Sequence, residues 1–437
     1  MGSKHVAIFT FPFGTHVAPL LNLVLKLANA APNCLFSFIG TEKCNAIHFP
    51  MPHIPSNVKP YSISDGIPEG HPLADHPIEK LNFFLQTGPD NLHTGIRMAE
   101  EDTKKKVTCI IADAFVTSSL TVAQTLNLPW ISFWPPTSCS ASLYFYVDLI
   151  RAAKTRVDFL PGLPNLAVED IPQEVLFVGE KETVFSRTLT SLGKVLPQAK
   201  ALVMNFFEEL DPPSLVQDMR SKVQSLLYIV PVRFPISSVE DASGCLSWLA
   251  TKKPNSVIYV SFGTVVTPPP HEIVAMAEAL EESGFPFLWS LKDNMRSVLP
   301  SGFVERTNMC GRVLPWVPQT QVLAHHSLGV FVTHCGSNSV TEAVCSGVPM
   351  ICRPFFGDQG VVARVIQDVW NMGMIIQGRC FTKNALLKSF NMILVQEEGS
   401  TIRDNALKVK NIVQDAARPQ APSARHFNTL VELISTS

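Results

Sequence analysis

Between Trp316 and Gln359 the chain reads WVPQTQVLAHHSLGVFVTHCGSNSVTEAVCSGVPMICRPFFGDQ, and no other stretch limits its possible folds so strongly. An apolar run, GVFVTHC, leads into a polar turn, Gly336-Ser337-Asn338-Ser339. An amphipathic segment follows, stops at Gly347, and gives way to Pro349 and a second apolar run. Strand, turn, helix and strand in that order make one unit of a parallel sheet, because parallel neighbours need a crossover and a helix supplies it. A helix start leaves backbone N–H groups without partners and carries about half a positive charge, which suits a phosphate. Ser339 followed three residues later by Glu342 also fits a capping box, the serine accepting from the backbone and the glutamate reaching back. An ordinary capped helix and an anion site are both open on this pattern.

The same alternation runs through the rest of the chain. HVAIFTF reads as a strand, Gly14-Thr15-His16 as a turn, and the next segment as a helix with Leu20, Leu21, Val24, Leu27 and Ala28 on one face. VTCIIADAF and PWISFW read as buried strands flanking a helical run, and ALVMNFFEEL as the strand that closes a first sheet. SVIYVSFGT, PFLWSL and GRVLPWV restart the pattern before the Trp316–Gln359 unit. At 437 residues the chain exceeds one ordinary core. Two domains are expected, 1–238 and 239–437. Their linker is expected at about 231–243, where Pro, Ser and acidic residues replace periodic apolar ones.

Composition removes several classes of function. Thirty-five Lys and Arg against 37 Asp and Glu give a net charge of −2, with no basic patch or base-reading motif, so no nucleic-acid partner is expected. Lys104-Lys105-Lys106 precedes a buried strand and reads as a solvated helix end or loop. The ten cysteines form no CxxC pair and no zinc-site spacing with His, and several sit in apolar runs, so they read as reduced packing residues. Pro12 and Gly14 interrupt the first apolar run too early for a signal peptide, Val6 stands where a myristoylation motif needs Ser or Thr, and no run of about 18 apolar residues occurs. A monomeric cytoplasmic protein without a membrane span is the expectation.

The 44 residues from Trp-Val-Pro-Gln through His-Cys-Gly-Ser-Asn-Ser to Asp-Gln resemble the signature of plant family 1 UDP-sugar glycosyltransferases. Over nearly its full length the chain is similar to the flavonoid and anthocyanidin 3-O-glucosyltransferases, through FPFGTH, IADAF, LPQAKALVMNFFEEL, SFGTVVTPPP and PFFGDQ. The resemblance implies the GT-B architecture, two doubly wound, Rossmann-like α/β domains facing a cleft. It implies an acceptor-binding first domain, a UDP-sugar-binding second domain, and a last helix that crosses back to the first.

Ligands of open parallel sheets bind beyond the carboxyl ends of the strands. His16 sits just after one such end, and Asp113 closes the strand CIIAD at another. If their strands are neighbours, the carboxylate can orient the imidazole as a general base. A lone His in a turn is usually unremarkable; it is the FPFGTH and ADAF contexts, through the resemblance, that make these two residues catalytic candidates. The resemblance further assigns Thr264, His334, Gly336, Asn338 and Ser339 to the diphosphate and Trp316 to a stack on uracil, with the Val317 backbone at the ring edge. Gln319 and Glu342 would hold the ribose, and Asp358 and Gln359 the sugar. A final Gln is usual in glucose users, so UDP-glucose is the expected donor. With no acidic pair or DxD motif near these residues, no metal is expected.

The implied reaction is an inverting transfer of glucose to a phenolic hydroxyl, the 3-hydroxyl of a flavonol or anthocyanidin. Phe83, Phe84, Tyr144, Phe145, Tyr146, Phe177 and Phe185 are candidates for lining a flat acceptor's site, though aromatic residues are more often core. The same chemistry on another plant phenol or a terpenoid stays open. A nucleotide-dependent oxidoreductase would need a Gly-x-Gly-x-x-Gly turn, which neither GTH nor CGSNS supplies. A non-catalytic binder of this fold would be favoured by loss of His16 or Asp113, and both are present. Two departures from the family pattern stand out. Ser337 occupies a position that is usually Trp, and Pro135-Pro136 follows Trp134 where a polar residue near the sugar is common.

Overall fold

The structure, a computed structural model, describes residues 4–50, 54–72, 77–231 and 241–436. Seven strands, β1 His5–Phe9, β2 Leu35–Thr41, β3 Val58–Ile63, β4 Cys109–Asp113, β5 Trp130–Trp134, β6 Ala201–Met204 and β7 Leu226–Tyr228, form one sheet in the order β3-β2-β1-β4-β5-β6-β7. Six more, β8 Val257–Ser261, β9 Phe287–Ser290, β10 Gly311–Leu314, β11 Leu328–Thr333, β12 Met350–Cys352 and β13 Gly373–Ile375, form a second in the order β10-β9-β8-β11-β12-β13. Every pairing within the two sheets is parallel. Helices cover both faces, which is why central strands such as CIIAD and LGVFVT are buried along their whole length rather than alternating.

Each sheet reverses its winding once. The chain moves from β1 outward to β2 and β3, then returns to lay β4 on the other side of β1; in the second sheet β11 returns beside β8 in the same way. At such a reversal the connections leave in opposite directions and open a crevice beyond the carboxyl ends of the two strands. The residues that follow β1 and β4, and those that follow β8 and β11, therefore border the two natural ligand sites of the fold.

Three strands escaped the sequence pattern. β3 carries Pro60, which has no N–H to donate, and β3 lies at the sheet edge, where Pro is tolerated. β7 and β13, of three residues each, are edges too short to show a period. ALVMNFFEEL is therefore not the last strand of the first sheet, as its apolar run had suggested; β7 pairs outside it.

The first helix, Val17–Ala30, buries Leu20, Leu21, Val24, Leu27 and Ala28, the expected face. The last helix, Pro422–Thr436, packs Leu430 and Ile434 into the same cluster as Val6, Ile8 and Leu20, so the C-terminal segment rests on the first sheet. The Tyr228 N–H of β7 donates to His426 Nδ1 on that helix at 3.2 Å. The boundary expected between 238 and 239, with most of the linker around it, lies outside the described residues. Lys104 ends a helix in the left-handed conformation and Lys106 pairs with Glu100 at 2.5 Å, so the lysine run is a helix terminus and loop. All ten cysteines are free and most are buried. No described helix is long and apolar enough to cross a membrane.

Candidate active site

His16 and Asp113 meet because β1 and β4 are neighbours. The imidazole Nδ1 lies 2.9 Å from Asp113 Oδ2, with the carboxylate fully buried and the His side chain 18% exposed. The second carboxylate oxygen accepts from the Phe115 backbone N–H at 3.0 Å, which fixes the plane of the group. Phe115 and Phe11 stand edge-on to the imidazole, with ring centroids at 4.8 and 5.1 Å. Phe115 in turn stacks on Trp134 and Phe185, while Phe13 and Phe84 close on Phe11. The imidazole is thus held at one nitrogen and walled by aromatic rings, leaving Nε2 as the end that can reach a substrate.

The second sheet places the other candidates at its own reversal. The signature helix is Ser337–Ser346, with Gly336 as its extended N-cap and no side-chain cap. The capping box suggested by Ser339 and Glu342 is therefore not formed. Both residues lie inside the helix and turn toward Gln319, whose Nε2 donates to Ser339 Oγ at 3.0 Å and Glu342 Oε2 at 2.8 Å. Tyr259 of β8 completes the network by donating to Gln319 Oε1 at 2.9 Å. Sequence reading missed Tyr259, because a Tyr within an apolar strand looks like core.

His334 follows β11 and is wedged between two glycines. A Cβ at Gly336 would sit 2.3 Å from its Nε2, and one at Gly263 3.0 Å from its Cε1; Gly263 also has a φ of +69°. Burial lowers the His334 pKa to about 4, so it meets any anion as a neutral hydrogen-bond donor rather than a cation. Its Nδ1 is buried without a partner among the described residues, and so is Asp358 Oδ2. Buried polar atoms are ordinarily satisfied, so these two orphans, on the loops after the neighbouring strands β11 and β12, indicate where ligand atoms belong. Burial raises the Asp358 pKa, opposed by the nearness of His16. That nearness brings the catalytic candidate of one half within electrostatic reach of the sugar candidate of the other.

Gln359 is almost fully buried, and its Oε1 accepts from the backbone N–H groups of Phe355 and Phe356 at 2.8 and 3.2 Å. Trp316 is 59% exposed, whereas Val317 beside it is buried. A tryptophan left so open at a strand end is a free stacking face. Thr264 is exposed, and its carbonyl accepts from Lys292 Nζ at 2.7 Å. Lys292 follows the carboxyl end of β9 and was missed; its position just beyond a strand tip was the available signal. Asn338, Thr341 and Glu342 line a cavity of about 240 Å³ across from Pro19 and Asn22 of the first helix. Ser337, one of the two departures from the family pattern, accepts from the Thr137 N–H at 3.3 Å, and Thr137 directly follows the other, Pro135-Pro136.

Of the aromatic acceptor candidates, Phe84, Phe185 and Tyr144 belong to the cluster around His16 and Trp134. Phe83 instead packs on His71, and Tyr146 packs on Phe159 and bonds Asp218.

Comparison with known proteins identifies the family. Residues 239–426 match the family model for UDP-glucoronosyl and UDP-glucosyl transferases. An anthocyanidin 3-O-glucosyltransferase of Vitis vinifera is 44% identical across 99% of this chain and 98% of its own. The chain belongs to the UDP-glycosyltransferase family. It is a UDP-dependent glycosyltransferase. A flavonol 3-O-glucosyltransferase of Actinidia chinensis var. chinensis is 42% identical, and an anthocyanidin 3-O-galactosyltransferase of Rhododendron delavayi 40%, each over 99% of this chain and 97% of the relative. The crystal structure of a UDP-glucose: anthocyanidin 3-O-glucosyltransferase in complex with UDP superposes with a TM-score of 0.98 at 65% identity, covering all of both chains. The Phytolacca americana protein solved with UDP-2-fluoro-glucose and pterostilbene is 22% identical with a TM-score of 0.85 and shares the GT-B fold.

Proposed function

We propose that this UDP-glycosyltransferase transfers glucose from UDP-glucose, with inversion, to the 3-hydroxyl of a flavonol or anthocyanidin. The observation that carries the reading is the His16–Asp113 pair, set among aromatic rings. A phenol with an ordinary pKa near 10 is a poor nucleophile at neutral pH until its proton has somewhere to go. With Nδ1 held by Asp113, His16 Nε2 takes that proton while the oxygen attacks the anomeric carbon opposite the diphosphate. Asp113 then stabilises the imidazolium. The aromatic rings of Phe11, Phe115 and Phe185 around the imidazole favour a planar aromatic acceptor over a bulky terpenoid.

The first domain, 1–238, thus takes the acceptor and the second, 239–437, the donor. Trp316 stacks on the uracil and the Val317 backbone meets the ring edge. Gln319 and Glu342 receive the ribose hydroxyls, and His334, Gly336, Asn338, Ser339 and Thr264 surround the diphosphate. Asp358 and Gln359 hold the sugar. The chain works as a cytoplasmic monomer. It works without a metal, since a neutral His334 and backbone N–H groups at the helix start supply donors for the leaving diphosphate.

Three outcomes test this reading. Incubation of the purified protein with UDP-glucose, UDP-galactose and a panel of flavonols, anthocyanidins and terpenoid alcohols should give chiefly a β-linked 3-O-glucoside by mass spectrometry and NMR. A product on another hydroxyl or with α linkage would refute it. Trp316→Ala should weaken UDP binding by roughly 5- to 100-fold in calorimetry, the worth of one base–aromatic stack. Chelator should leave the rate unchanged, and recovery of activity only on adding back a divalent cation would overturn the metal-free account.

A further inference from the structure

We propose that Asp170 is a positioning residue for the donor sugar, gripping the helix Gln359–Arg364 at both ends from the opposite domain. Asp170 lies between β5 and β6 in the first half of the chain, and its side chain is fully buried. Its Oδ2 accepts from Arg364 Nε at 3.0 Å and from the Ala167 N–H at 2.8 Å. Its Oδ1 accepts from Arg379, and Arg379 also pairs with Glu169 at 3.0 Å. Both arginines come from the second half. A buried carboxylate with two cationic partners is a satisfied group, and truncating it leaves charges half-buried and unpaired.

The contact does more than join two domains. Arg364 ends the helix that Gln359 begins. At the other end Gly360 is pressed on the backbone of Asp170, where a Cβ would lie 2.4 Å from the Asp170 carbonyl oxygen and 2.8 Å from its Cα. The residue beside Gly360 is Gln359, whose Oε1 holds the turn through Phe355 and Phe356 that also carries Asp358. Asp170 therefore fixes both the position and the axial rotation of the element presenting the two sugar-facing residues. The uracil, ribose and diphosphate candidates sit on other loops: Trp316 and Gln319 after β10, His334 to Glu342 after β11. The expected signature is a loss confined to the sugar.

This proposal rests on the reading that Asp358 and Gln359 hold the sugar. The test compares Asp170→Asn, Arg364→Ala, the double variant and a Gln359→Ala control, each by KM for UDP-glucose, Kd for UDP and thermal midpoint. Asp170→Asn keeps the shape of the side chain and should raise KM for UDP-glucose about tenfold, the worth of one misplaced hydrogen bond, with Kd for UDP within about twofold. Arg364→Ala should act alike, and the double variant should fall well short of the product of the two. Arg364→Lys, retaining the charge, should recover part of the loss. A Kd for UDP that weakens in step with KM would mean general loosening and would overturn the proposal, as would multiplicative effects in the double variant. If Gln359→Ala raises KM and Asp170→Asn does not, the clamp alone is wrong. If neither does, the sugar assignment falls and the clamp with it.

Discussion

His16→Ala should lower the transfer rate by about 10²–10⁴-fold, the worth of a positioned general base, while UDP still binds within about twofold of the native affinity. The split follows from the architecture. His16 follows β1 in the first sheet, and the nucleotide candidates Trp316, Gln319, Ser339 and Glu342 belong to the second. Removing the imidazole also removes a ring packed on both Phe11 and Phe115, so the acceptor KM should rise as well. Steady-state rates with UDP calorimetry on the same preparation check the result. A variant that loses nucleotide binding along with activity would show that His16 holds the cleft together and does not act on the acceptor.

Asp113→Asn should be nearly as damaging, although it changes a single atom of a buried side chain. Asp113 Oδ2 accepts a hydrogen from His16 Nδ1, and Oδ1 accepts one from the Phe115 N–H. An amide in the same place keeps one acceptor. If the Phe115 N–H retains the carbonyl oxygen, the NH₂ faces Nδ1 and forces the imidazole to carry its proton on Nε2, the nitrogen that must be free to take one. The imidazolium also loses its counter-charge. A fall of about 10²–10⁴-fold in rate is expected, with the thermal midpoint close to native, because the backbone contact survives. Activity within a few-fold of native would mean that the carboxylate serves only to pack the β4 tip.

The parts of this fold that were legible in the sequence are those where one face or both faces of an element are buried. The first helix announces itself through Leu20, Leu21, Val24 and Leu27, and β4 and β11 through unbroken apolar runs. β7 and β13 are too short for a period, and Pro60 speaks against β3 until its edge position is known. Ser339 and Glu342 illustrate a different loss. Their spacing satisfies a capping rule, yet Gln319, 23 residues before Glu342 in sequence, claims both side chains for a hydrogen-bond network. Local rules cannot see a partner that the tertiary fold delivers.

The same limit applies to the site. That His16 and Asp113 share it depends on β1 and β4 being neighbours, a strand order that no local window contains; motif resemblance marked the two residues, and the structure supplied the pairing. That Ser337 and the Pro135–Thr137 turn touch was invisible, since 200 residues separate the bonded pair. A hydroxyl at 337 bonding a backbone N–H at 137 is a compact join between domains.

A crystal structure with UDP-2-fluoro-glucose and a flavonol bound together tests the central claim most directly. The acceptor's 3-oxygen should lie about 2.6–3.2 Å from His16 Nε2. It should also lie about 3–3.5 Å from the anomeric carbon, on the face opposite the diphosphate. An acceptor oxygen beyond reach of the imidazole, or a donor sugar seated away from Asp358 and Gln359, would contradict it.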